Sequence, residues 1–360
     1  MVKGRIALTF KENGQNGGPY ISHKRVLDSF LSEAYDFIPL TIPRARCLLT
    51  PWGMNKFVED IKNCNADAVQ IAGLQLDGIL TMYACKKARV KTIVAVHGRM
   101  IESPSVRGIR RWLYDIGEKW TINNANATFG VSDYVSSWDI CKNAPNYCGT
   151  IYNLPPKAKK MNESNRKEVR RRLGLDDNDV VFVSTGRIIK EKGYDILWEA
   201  IKRVDVSLPI KYVIVGDGSY LQLWKNEVLD TDYEKKIIFA GYQKEVDEYL
   251  SASDAFIICT KHETLCISLL EAGMHSLPLI GTNVGGIPEI IEDDYNGILV
   301  EKGDITGFAN AIKIISKDKV KRIKMGENAN RYVSEKFLET KTLKKLDVLY
   351  QKILGEKCDV

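Results

Sequence analysis

Apolar residues in this chain gather into short β-rich runs separated by stretches with helical periodicity. Runs at Arg5–Thr9, Ala68–Ile71, Thr92–Val96, Ala127–Val131 and Gly149–Tyr152 predict strands in the first half. Asn153 to Lys160, rich in Pro and Lys, then reads as a linker. Beyond it the alternation resumes at Val180–Thr185, Lys211–Val215, Lys236–Ala240, Ala255–Cys259, Leu279–Thr282 and Ile298–Val300. Strands spaced by helical patterns of roughly 10–15 residues predict parallel sheets built from βαβ units. The expected class is α/β, with two Rossmann-like, doubly wound domains facing a central cleft. Residues 1–153 would form the first and 154–338 the second, with a terminal helix over 339–360 able to cross back to the first.

Composition agrees with that layout. A length of 360 residues with 44% hydrophobic content is enough for two ordinary cores. The opening run is too short for a signal peptide, and no segment nears the roughly 18 apolar residues of a spanning helix. The eight cysteines form no CxxC pair, and Cys259 and Cys266 sit inside apolar runs, as reduced core residues of a cytoplasmic protein would. Four histidines without ligand spacing give no reason to expect a metal. Asp177-Asn-Asp179 and Asp230-Thr-Asp232 match a metal-holding DxD pattern, but both lie in polar segments and read as surface acids.

Charge is unevenly placed. Residues 1–160 carry 22 Lys and Arg against 13 Asp and Glu, a balance of +9, while the remainder carries 30 against 33, or −3. Part of the excess lies at Arg99 and in Arg107–Trp120, where Arg107, Arg110, Arg111 and Lys119 interleave with Trp112, Tyr114 and Trp120. That pattern suits an element lying on an anionic membrane, at its cytoplasmic face. It also suits an ordinary helix with aromatics toward the core and arginines toward water. No recognition motif accompanies the charge, so nucleic acid is not expected as a partner.

The chemically suggestive residues follow strands. They are His97-Gly98, Gly186-Arg187 with Lys192-Gly193, Gly216-Asp217-Gly218, Gly241-Tyr242, and a turn ending at Glu263. Open α/β sheets bind ligands beyond the carboxyl ends of their strands, so this bias points to one shared site. The Glu263 turn enters an apolar helix that carries a second acid, Glu271. A helix N-terminus beside two carboxylates suits a phosphate next to sugar hydroxyls, as in a nucleotide sugar. Arg187 and Lys192 can clamp a diphosphate, one with a forked donor pair and the other as a point charge. Gly14, Gly17, Gly18 and Pro19, after the first strand, allow close backbone approach to a phosphate.

Gly186-Arg187, Lys192-Gly193, Glu263 and Glu271 as E-x7-E, Gly285-Gly286-Ile-Pro-Glu289 and Asn296-Gly297 together resemble the family 4 retaining glycosyltransferases. The resemblance covers nearly the whole second domain and, in the first, only the glycine loop and His97. It implies the GT-B fold and transfer of a sugar from a nucleoside diphosphate sugar, most often a UDP-sugar, without an essential metal or other cofactor. The acceptor hydroxyl would belong to a glycan or lipid-linked glycan of bacterial polysaccharide synthesis. It also implies roles. Arg187 and Lys192 would hold the diphosphate and Glu271 the ribose. Glu263 would bind donor-sugar hydroxyls beside the backbone of Thr264, Leu265, Cys266 and Ile267. His97 would sit over the sugar, and Gly17 and Gly18 would cover the phosphates. Gly216, Gly241 and Tyr242 complete the nucleotide-side set. Cys266 and Ser276 stand where the family often has smaller residues. A sugar-nucleotide epimerase of the same fold would need further acid/base carboxylates from the first domain, and a non-catalytic partner would not keep both cations and both acids. A dinucleotide dehydrogenase is disfavoured because Gly216-Asp-Gly218 lacks the third glycine.

Overall fold

The computed structural model describes residues 2–12, 18–102, 106–155, 157–159 and 162–355. The chain divides into two compact units, Met1–Leu154 with Glu339–Val360, and Pro155–Leu338. Strands β1 (Gly4–Lys11), β2 (Tyr35–Ile42), β3 (Ala68–Ala72), β4 (Lys91–Val96), β5 (Ala127–Gly130) and β6 (Tyr147–Thr150) form the first sheet, in the order β2-β1-β3-β4-β5-β6. Strands β7 (Val180–Thr185), β8 (Ile210–Val215), β9 (Ile237–Gly241), β10 (Ala255–Ile258), β11 (Leu279–Thr282) and β12 (Gly297–Val300) form the second, ordered β12-β11-β10-β7-β8-β9. All pairings are parallel.

Helices cover both faces of such sheets, so the inner strands read as continuous apolar runs. Ile6, Ala7 and Leu8 of β1 are fully buried, as are Val181, Phe182 and Val183 of β7. β2 was not expected. Its sequence contains Pro39, which argues against a central strand, but β2 is the edge strand, paired only with β1, where a missing N–H is tolerated. β6 begins two residues before its expected start at Gly149, a glycine with φ of 82°, and its pairing with β5 shifts register there.

The helix Glu339–Leu354 packs on the first unit. Tyr350 donates to Gln70 Oε1 (2.6 Å) and Tyr35 to Asp347 Oδ1 (2.6 Å), while Lys3 pairs with Asp347 (3.2 Å). Beneath it His23, at the core, bridges the Thr9 carbonyl (2.9 Å) and Gln70 Nε2 (3.1 Å).

Candidate active site

From β7 the second unit runs outward through β8 and β9, then returns to place β10 on the other side of β7. The C-terminal ends of β7 and β10 are therefore a topological switch point, the usual ligand crevice of an open α/β sheet. Arg187 and Lys192 follow β7, and Glu263 follows β10.

Backbone contacts hold these turns together. The Lys261 N–H donates to the Glu191 carbonyl (2.9 Å), and Lys261 Nζ pairs with Asp195 Oδ2 (2.7 Å). Gly193 has φ of 72°, and a β-carbon there would collide with the Cys259 carbonyl. A side chain would push the two turns apart. On the far side the Gly286 N–H donates to the Glu263 carbonyl (3.1 Å), and Gly285 (φ 58°) comes so close that a β-carbon would strike that same carbonyl. Held from both sides, Glu263 forms an ion pair with Lys192. Arg187 differs. Its side chain is exposed and makes no ion pair or hydrogen bond among the described residues.

Thr264 and Leu265 lead through Cys266, the N-cap, into the helix Ile267–Met274. Cys266 provides no side-chain cap, so the first N–H groups of this helix keep their donor capacity and positive dipole end. Burial pushes the Cys266 thiol up to about 12, with the Glu263 carboxylate acting the same way. The thiol is buried and stays protonated. Glu271 is half-buried, one helical turn beyond Ile267. The remaining loops join in: Gly186 N–H donates to Val215 O (3.0 Å), Ile188 N–H to Asp217 O (2.9 Å) and Gly216 N–H to Gly241 O (2.8 Å). Tyr242, next to Gly241, is 57% exposed.

In the first unit Gly18 opens the helix Gly18–Leu27, while Gly14 and Gly17 lie outside the described residues. His97 follows β4, and its Nε2 is buried without a hydrogen-bond partner among the described residues. Burial, then the proximity of His23, lowers its pKa to about 3, so the ring is neutral. Sequence reasoning missed the brace of Glu191, Asp195 and Lys261. Lys261 and Asp195 stand 66 positions apart, and no local pattern couples them.

A family model described as glycosyl transferases group 1 matches residues 165–332. N-acetyl-alpha-D-glucosaminyl L-malate synthase of Bacillus anthracis is 31% identical over 193 residues, 52% of this chain but only 50% of that relative's length. UDP-Gal:alpha-D-GlcNAc-diphosphoundecaprenol alpha-1,3-galactosyltransferase of Escherichia coli is 30% identical over 287 residues, 76% of this chain and 72% of that protein. Among solved structures, sucrose-phosphate synthase from Thermosynechococcus elongatus has a TM-score of 0.81 at 17% identity, over 98% of this chain and 99% of that one. Anabaena HepE in complex with UDP-glucose scores 0.79 at 18% identity, over 97% and 100%. The fold is that of the GT-B glycosyltransferases. The chain belongs to the glycosyl transferases group 1 family.

Proposed function

We propose that this protein moves a sugar from a UDP-sugar to a hydroxyl of a glycan or lipid-linked glycan, with retention and without a metal. The carrying observation is the exposed, unpaired Arg187 guanidinium at the strand ends that also hold the Lys192–Glu263 pair and an uncapped helix N-terminus. In this reading Arg187, Lys192 once released from Glu263, and the helix N-terminus each offer positive potential to a diphosphate. The E. coli relative is named for a UDP-Gal donor and a diphosphoundecaprenol-linked acceptor, and the Anabaena structure holds UDP-glucose, which supports this choice of donor and acceptor class.

In this reading the acceptor oxygen attacks the anomeric carbon on the face that the diphosphate leaves. The carbon–oxygen bond to phosphate breaks as the new glycosidic bond forms, and the acceptor proton passes to a phosphate oxygen of the leaving group. Arg187 and the helix end stabilise the charge that collects on the diphosphate. Lys192 starts paired to Glu263, so donor binding draws it toward the phosphates and leaves Glu263 free to accept a sugar hydroxyl. Glu271 accepts the ribose hydroxyls. Gly18, Gly216, Gly241 and Tyr242 serve the nucleotide side. His97, neutral and with a buried Nε2 lacking a partner, is suited to a sugar hydroxyl.

The test is a panel of nucleotide sugars scored by thermal shift and by hydrolysis, followed by NMR of the product's anomeric configuration. Stabilisation by UDP-sugars with retained configuration supports the reading. An inverted product, or no response to any nucleotide sugar, defeats it.

A further inference from the structure

The helix Gly108–Asn124 faces the wrong way for a core helix. Successive residues turn by about 100°, so Ile109, Trp112, Leu113 and Ile116 share one stripe. All four are exposed, at 72, 60, 56 and 46%. The opposite side holds Glu118, Thr121 and Ile122, each buried. Glu118 accepts from Arg99 Nε (2.8 Å) and from the Met100 N–H (2.6 Å), and Arg99 Nη2 reaches Asp115 (2.7 Å). The helix thus ties itself to the protein through an enclosed ion pair and, while Trp120 packs against the core, turns Ile109, Trp112, Leu113 and Ile116 outward. An ordinary surface helix does the reverse.

Cations border the stripe. Arg110 lies on one flank and Lys119 on the other, with Arg107 and Arg111 at the helix start, all exposed. Of the acids of this helix, Glu118 is buried, and Asp115, half-buried, pairs with Arg99 and Lys119. The helix Leu76–Ala88 packs between this one and Pro51–Asn63. These neighbours add exposed aromatics with lysines over their rings, Trp52 with Lys56 at 5.7 Å and Tyr83 with Lys87 at 5.0 Å.

We infer that this helix lies in the plane of an anionic membrane, with Ile109, Trp112, Leu113 and Ile116 in the acyl boundary and Arg110 and Lys119 at the phosphates. An apolar stripe with long cationic side chains on both flanks is the composition of an interfacial helix. A second copy docking the same stripe by two-fold symmetry would bring like charges together, whereas anionic lipid supplies the opposite sign. The inference stands on this helix alone and needs no donor, so it survives or fails separately from the proposed transfer.

The full chain is mixed with vesicles of phosphatidylglycerol or of phosphatidylcholine and sedimented, with no nucleotide present. Binding is expected to be at least about tenfold stronger to phosphatidylglycerol and to weaken as salt rises from about 0.1 to about 0.5 M. The double exchange Ile109→Ser with Trp112→Ser should lower it about tenfold or more, with thermal melting unchanged. Arg110→Glu should weaken it by a similar factor while keeping the stripe. Failure to bind phosphatidylglycerol vesicles overturns the inference. So does equal binding by the double variant. A dimer that becomes a monomer on the double exchange, without vesicle binding, also overturns it and reassigns the stripe to contact between copies.

Discussion

Both units use one plan, six parallel strands wound in both directions, yet they handle polar groups in opposite ways. In the second unit the strand ends carry full charges held by neighbouring turns, with Lys192 set against Glu263, Lys261 against Asp195, and Arg187 open. In the first unit the polar cluster beneath the terminal helix is uncharged and enclosed. Tyr350 donates to the Gln70 side-chain oxygen, which turns the Gln70 amide nitrogen toward His23, whose Nδ1–H then faces the Thr9 carbonyl. Burial lowers the His23 pKa to about 4 against the pull of the Thr9 bond. One arrangement prepares a site for an anion, and the other fastens a terminal helix. Topology supplies the crevice, and the residues after each strand decide its chemistry.

The strongest way to break the contrast is at Arg187. Arg187→Ala should lower turnover at saturating donor by roughly 100-fold or more, because a preorganised donor to developing charge contributes about 3 kcal/mol. Arg187→Lys should recover only part, since it restores charge without the fork. Near-normal turnover in the alanine variant would move the diphosphate clamp elsewhere.

Acid should separate the units by stability. His23 and His97 are held neutral when folded, with pKa values lowered to about 4 and about 3. The unfolded chain takes up those protons below about 6.5, so their stabilising contribution is complete above that pH and is lost as pH falls toward the folded values. Each histidine contributes a slope on the order of 1 kcal/mol per pH unit in that window. Hydrogen exchange at pH 5 should show the first unit opening before the second, and His97→Gln should remove about half the slope. Equal loss of protection in both units would contradict this.

Glu271→Ala tests the ribose contact. Donor binding should weaken roughly tenfold or more, about 1.4 kcal/mol for a charged hydrogen bond, measured by calorimetry on a folded variant. The smallest expected effect is that of a chelator. If Arg187, Lys192 and the helix end carry the diphosphate charge, EDTA should leave activity unchanged. Complete loss restored by magnesium or manganese would show that these cations are insufficient.

Much of this was legible in the sequence because it depends on local chemistry. Strand runs, the polar turns after them, and the positions of Arg187, Lys192, Glu263 and Glu271 need only neighbouring residues to be read. β2 was missed because Pro39 is unfavourable in most strands and acceptable only at an edge, and edge position is a property of the sheet. The facing of Gly108–Asn124 was left open, since the spacing of Ile109, Trp112, Leu113 and Ile116 marks an apolar stripe without saying which side meets the core. Tertiary structure decided it through Arg99, which claims Glu118 and turns the opposite side outward. The same holds for Lys192 with Glu263, 71 positions apart, and for Tyr350 with Gln70, 280 apart. The sequence by itself determined which groups could carry charge at the strand ends. Folding alone decided which of them pair and which stay open, because pairing depends on distances that separation along the chain does not encode.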